Sequence, residues 1–162
     1  MIILILSKKE KSTTMTYTIK HIDNDYKMTA FGVTFDDFND WAGNAAKTAT
    51  KKAEITENGK LAELLERTDG QEYQINYVID GKAWRGFGAM GDFNIEGSEV
   101  LNFLAGDYIV VSGENETTDM LTGKVFGGLL QEITDYKYVG PGNYAFVSTD
   151  GHGELWLRAE KI

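Results

Sequence analysis

The chain has 162 residues, 42% of them hydrophobic and 25% charged, which suits one globular domain with a real core and excludes a disordered chain. Its 16 basic residues stand against 25 acidic ones, a net charge of −9, and no Lys/Arg cluster falls on a plausible helix, so direct nucleic-acid binding is not expected. With 0 Cys there is no disulfide, thiol nucleophile or thiolate metal site, and no apolar stretch reaches membrane-spanning length, so a cytoplasmic protein without membrane contact is expected.

Residues 1–14 read as an N-terminal extension prone to disorder. Met1 to Leu6 is apolar but short, lacks a preceding basic region and a small-residue cleavage site, and runs into a polar Lys/Ser/Thr stretch. The domain is read over 15–162. A strand from Thr16 carries Tyr17, Ile19 and Ile22, and a second covers Met28–Phe35 after the turn Asp23-Asn24-Asp25. Asp36 or Asp37 can cap a helix to about Lys52, with Phe38, Trp41, Ala45 and Ala49 at core spacing. A shorter helix holding Leu61, Leu64 and Leu65 follows Asn58-Gly59. Strands Glu72–Ile79 and Lys82–Met90 then flank Asp80-Gly81, the strongest hairpin signal in the chain.

The order recurs. Val100–Leu104 and Asp107–Val111 read as strands around a kink at Ala105-Gly106. A helix from about Thr117 to Ile133 carries Met120, Leu121, Val125, Leu129 and Ile133 at core spacing, with Gly123, Gly127 and Gly128 read as close packing on a sheet. Gly140-Pro141-Gly142 reads as a turn, and strands Asn143–Ser148 and Glu154–Glu160 close the chain around Asp150-Gly151. The expected fold is α+β: a pseudo-twofold pair of units, each burying a helix on one face of its strands, joined edge to edge in a mainly antiparallel sheet with a central cleft.

The chemistry centres on the last strand. Alternation puts Glu154, Trp156 and Arg158 on one face and Leu155, Leu157 and Ala159 on the other. A carboxylate beside a Trp is poorly solvated unless it meets a cation, a hydrogen bond or water, which makes Glu154 the candidate functional group. Trp41 reads as half core. Trp84, alternating with Gly86 and Gly88, and Tyr77, Tyr108 and Tyr144 are candidate pocket walls, although taken singly each is better read as core, since aromatics fill small cores routinely. One acidic group among aromatics suits an apolar cation held by stacking and cation–π contact. His152 shares the Glu154 face, but a third ligand is not evident, so neither a metal nor a cofactor is expected. Gly86-Phe87-Gly88-Ala89-Met90-Gly91 lies in a hairpin strand and reads as packing, not phosphate binding, and without a G-x-S-x-G a nucleophile triad has no support.

Phe31-Gly32-Val33-Thr34-Phe35, Leu104-Ala105-Gly106-Asp107-Tyr108-Ile109-Val110-Val111 and Gly153-Glu154-Leu155-Trp156-Leu157, in this order and spacing, resemble the GyrI-like small-molecule-binding domain, also called the bacterial transcription activator effector-binding domain. The resemblance covers roughly residues 16–162. It implies two strand–helix–strand–strand units around an aromatic pocket with a buried glutamate on the last strand, a position that Glu154 matches. The proline usual near the middle of that strand is Arg158 here. With no helix-turn-helix ahead of the domain, the chain resembles a stand-alone member. Family members bind lipophilic cations in multidrug-responsive regulators, some bind DNA gyrase, and some hydrolyse small electrophilic compounds with the glutamate and a tyrosine.

What the resemblance implies first is a sensor or sequestering protein for amphipathic, cationic small molecules rather than an enzyme. Glu154 would be the counter-charge, with Trp156, Trp84, Tyr108 and Tyr144 as further ligand-binding residues. One alternative is a hydrolase in which Glu154, its pKa raised, activates water while Tyr108 or Tyr144 positions the leaving group. The other is a modulator of a protein partner such as DNA gyrase.

Overall fold

A computed structural model of the chain describes residues 17–162; the extension expected over 1–14 lies outside the described residues. The strands are β1 (Tyr17–Ile22), β2 (Tyr26–Thr34), β3 (Tyr73–Ile79), β4 (Lys82–Met90), β5 (Glu99–Phe103), β6 (Gly106–Glu114), β7 (Tyr136–Val147) and β8 (His152–Lys161). They form one 8-stranded antiparallel sheet in the order β1-β6-β8-β7-β3-β4-β2-β5. Helices α1 (Trp41–Glu57) and α2 (Lys60–Glu66) separate β2 from β3. Helix α3 (Thr118–Lys124), continued by a π-helical segment Val125–Leu129, separates β6 from β7.

The order is symmetric about the β3·β7 pair: exchanging β1 to β4 for β5 to β8 reproduces it. The edge-to-edge union of two units is therefore present, with one addition that the sequence pattern does not reveal. Each unit lends its first strand to the other, so that β1 pairs with β6, Tyr17 opposite Val111, and β5 pairs with β2, Phe103 opposite Tyr26.

This exchange bends the sheet. In a flat sheet, six strand spacings would put β1 and β2 about 29 Å apart. They are joined only by Asp23-Asn24-Asp25, and a three-residue link reaches about 14 Å at most. The sheet rolls until its edges approach, and the still shorter Leu104-Ala105 link from β5 to β6 imposes the same closure. The concave face so formed is aromatic. Tyr26 meets Phe103 at 5.6 Å and Tyr108 at 6.0 Å between ring centroids, and Phe103 meets Tyr144 at 5.2 Å.

The helices cover the other face. Ala145, Gln74, Phe87 and Phe31 lie in register across β7, β3, β4 and β2, and so share that face. Leu121 of α3 and Val125 pack on Ile109, Val111, Leu155 and Leu157. Ile55, Leu61 and Leu64 from α1 and α2 pack on Phe31 and Phe87. Among the described residues no helix is long and apolar enough to cross a membrane.

Local differences have physical causes. Helix α1 starts later than Asp36 or Asp37 because Asp40 caps it, its carboxylate accepting Gly43 N–H at 3.1 Å. Its inner face uses Asn44, whose amide donates to the Asp37 carbonyl at 3.0 Å, and Ile55; the expected core stripe faces outward, with Trp41 77% and Phe38 63% exposed. Met120 is likewise exposed. A Cβ at Gly123, Gly127 or Gly128 would meet nothing within 4 Å, so these glycines do not mark close packing on the sheet. Gly140-Pro141-Gly142 is a bulge inside β7, whose pairing with β8 breaks after Tyr138 and resumes at Asn143.

Candidate functional site

Strand β8 alternates as its sequence predicts. Gly153, Leu155, Leu157 and Ala159 are buried beneath the helices, while Glu154, Trp156 and Arg158 project from the concave face. Register sets Phe146 and Ser112 on either side of Glu154, and Tyr144 and Val110 on either side of Trp156. The Trp156 and Tyr144 rings lie within 12° of parallel at 6.1 Å. Tyr73 meets Tyr144 and Phe146 edge-on at 5.7 and 5.3 Å, and the hydroxyls of Tyr26 and Tyr144 are hydrogen-bonded at 2.8 Å. With Met90 and residues 21–25 at its mouth, this aromatic wall encloses an open cavity of about 640 Å³ that Glu154 lines, within the range usual for small-molecule sites.

Both oxygens of Glu154 are engaged. Oε1 accepts the Trp156 indole N–H at 2.9 Å, and Oε2 accepts from His152 Nε2 at 3.0 Å. The other nitrogen of His152 bonds Glu114, so the imidazolium bridges two carboxylates. Burial alone would raise the Glu154 pKa, but the His152 and Trp156 hydrogen bonds and the charge of Lys20 outweigh it and hold the carboxyl below its ordinary value. That is opposite to the raised pKa that water activation calls for. Two carboxylates and one imidazolium leave the cluster with a net negative charge. Lys20 Nζ lies 5.4 Å from the Trp156 ring centroid.

The bonds to Glu154 and Glu114 push the His152 pKa from 6.5 up to about 9. A raised pKa means that the pairing stabilises the fold fully below 6.5 and is lost as pH climbs through about 9. An NMR titration of His152 is expected to show a midpoint near 9, falling toward 6.5 in Glu154→Gln. A wild-type midpoint at the ordinary value would mean that the bridge does not form in solution. Burial also raises the pKa of Tyr26, Tyr73 and Tyr144, which keeps their hydroxyls protonated.

Of the residues singled out from sequence, Glu154, Trp156 and Tyr144 come together on the cavity. Tyr108 is wholly buried, 5.9 Å from the Trp156 ring, and its hydroxyl donates to the Leu104 carbonyl at 2.7 Å. Trp84 lies outside the cavity, only 5% exposed. Its own indole fills the room expected beside it, since a Cβ at Gly32 or Gly86 would stand 2.3 or 2.4 Å from that ring. Gly86→Ala is therefore expected to destabilise the fold by about 1–3 kcal/mol. An unchanged thermal midpoint would show that the indole does not rest on Gly86.

Sequence reasoning missed Tyr26, Tyr73, Phe146, Lys20 and the His152 bridge. Alternation carried a signal for Phe146, two residues from Tyr144, and for Tyr73, in step with Tyr77. Arg158, where the family pattern has proline, does not interrupt β8. It donates to the Ala105 carbonyl at 3.0 Å and the Gly140 carbonyl at 3.3 Å, tying the β5–β6 link to the β7 bulge.

No protein-family model and no curated protein matches the chain. Solved structures do. SAV2435 bound to tetraphenylphosphonium matches with a TM-score of 0.70 at 14% identity, over 90% of this chain and 94% of that one. A Staphylococcus aureus MU50 protein assigned to bacterial transcription regulation matches at 0.69 and 14%, over 91% and 99%. The EcmrR C-terminal domain matches at 0.55 and 11%, over 93% and 100%. At these identities the likeness is one of fold.

Proposed function

We propose that this chain, which has the fold of the GyrI-like effector-binding domains, binds amphipathic organic cations in the Glu154 cavity. The observation that carries this is a net-negative Glu114–His152–Glu154 cluster opening onto stacked aromatic rings. Aromatic faces attract a large, weakly hydrated cation by about 0.5–2 kcal/mol per contact, and the carboxylate supplies a counter-charge that a neutral ligand cannot use. The solved structure of SAV2435 with tetraphenylphosphonium supports the same ligand class. Binding without turnover is favoured over hydrolysis, because the Glu154 pKa is lowered and the Tyr108 hydroxyl is committed to a backbone carbonyl. Such a site suits a sensor or a sequestering protein.

Calorimetric titration of the full chain with tetraphenylphosphonium is the direct measurement. Saturable binding is expected, and uncharged triphenylphosphine oxide should bind more weakly. If neither tetraphenylphosphonium nor a panel of other lipophilic cations binds saturably, cation binding is excluded.

A further inference from the structure

We infer that the groove between α1 and the α3 region, on the helix-covered face, is a second binding site whose ligands are planar aromatic anions such as aryl carboxylates. Its volume is about 330 Å³, and it shares no lining residue with the Glu154 cavity. Phe38 and Trp41 form one wall, their rings 6.3 Å apart, and both stand largely exposed. Phe126 and Tyr138, at 5.9 Å, form the other. Phe126 comes from the π-helical segment, a departure from α geometry that recurs at functional sites.

The floor selects the charge. Arg85, Asn76 and Asn143 lie in register across β4, β3 and β7. Arg85 Nε donates to Asn76 Oδ1 at 2.8 Å, Asn76 Nδ2 to Asn143 Oδ1 at 3.1 Å, and Asn143 Nδ2 to the Tyr138 hydroxyl at 3.2 Å. Every bond in this chain runs away from Arg85, which leaves, besides the second amide hydrogens of Asn76 and Asn143, two donors at its ends: the Arg85 terminal amino groups and the Tyr138 hydroxyl proton. Among the described residues Arg85 has no acidic partner, although acidic side chains outnumber basic ones in the sequence. A cation would be repelled there, and a neutral ring would cover the donors and leave them unpaired. A flat aromatic anion fills the space between the walls and accepts from both donors, and the fork of the guanidinium suits a carboxylate.

The test uses 2-naphthoate and the full chain, with Trp fluorescence and amide chemical shifts as readouts. Saturable binding is expected, with shifts at Trp41, Arg85 and Phe126 rather than around Glu154. Arg85→Gln should weaken it by about tenfold, the worth of a charge-assisted pair, while Glu154→Gln leaves it unchanged. Phe38→Ala, which alters an exposed side chain and so keeps the fold, should weaken it by about fivefold through the lost ring contact. The inference is overturned if naphthoate does not saturate, if Arg85→Gln and Phe38→Ala both bind as wild type, or if 2-naphthylmethanol binds as tightly as the acid. Because none of these outcomes involves the Glu154 cavity, failure here and failure of cation binding are distinguishable.

Discussion

Replacing Glu154 by glutamine is expected to weaken tetraphenylphosphonium binding by about ten- to a hundredfold, about 1.4–2.8 kcal/mol, without unfolding the domain. The amide keeps the size of the side chain and an oxygen that can still accept the Trp156 indole N–H, whose bond is 2.9 Å in the wild type. What is lost is the charge. The remaining Glu114–His152 pair is then neutral, and Lys20, close to the Trp156 ring, is no longer offset. Lys20→Met should shift affinity the other way, because the ligand then has no competing cation over the same ring. Both measurements belong at fixed ionic strength, since the mouth of the cavity is open to screening. Equal affinity in wild type and Glu154→Gln would place the counter-charge elsewhere.

Phe103→Ala is expected to destabilise the protein by about 3–5 kcal/mol, the range for truncating a fully buried aromatic. Its ring is 0% exposed and touches Tyr26, Tyr77 and Tyr144 at 5.6, 5.5 and 5.2 Å. These contacts join both units, and β5 pairs with the sheet through β2 alone. The cavity would leave Tyr144 without one of its supports, so ligand affinity should fall together with stability. Denaturant unfolding gives the number, and a loss below about 1 kcal/mol would show that the site collapses around the truncation.

The parts of this structure legible in the sequence are those governed by local rules. Asp80 and Gly81 take positive φ values of 52° and 77°, as the two-residue hairpin between them demands. The β8 faces follow from the two-residue period of a strand, which is how Glu154 and Trp156 could be paired in advance. Helical spacing of Trp41, Ala45 and Ala49 on α1 says only that these residues share a face, not that the face is buried, and Phe38 lies in the turn ahead of the Asp40 cap. Asn44, bonded to two backbone carbonyls, takes the inner side instead. Tyr26 falls between the turn Asp23-Asn24-Asp25 and the expected strand start at Met28, whereas β2 begins at Tyr26 itself. His152 and Trp156 share the face of Glu154 by strand alternation, but Phe146 and Ser112 reach it through sheet register and Glu114 through the histidine bridge, and none of these three leaves a mark in spacing along the chain.

The reciprocal lending of β1 and β5 has a consequence for how the chain comes to fold. Residues 17–22 find their partners at 106–111, and residues 99–103 find theirs at 26–30. Neither outer edge can close until most of the chain is made, so the contacts that complete the sheet are among the most distant in sequence and should form late and slowly. Nor can either unit mature alone: cut between Met90 and Glu99, each fragment would carry one strand with no place in its own sheet and one open edge awaiting the other's. The two pieces are complementary by construction, and mixing them should restore the domain where each alone remains unfolded or aggregates through its bare edge.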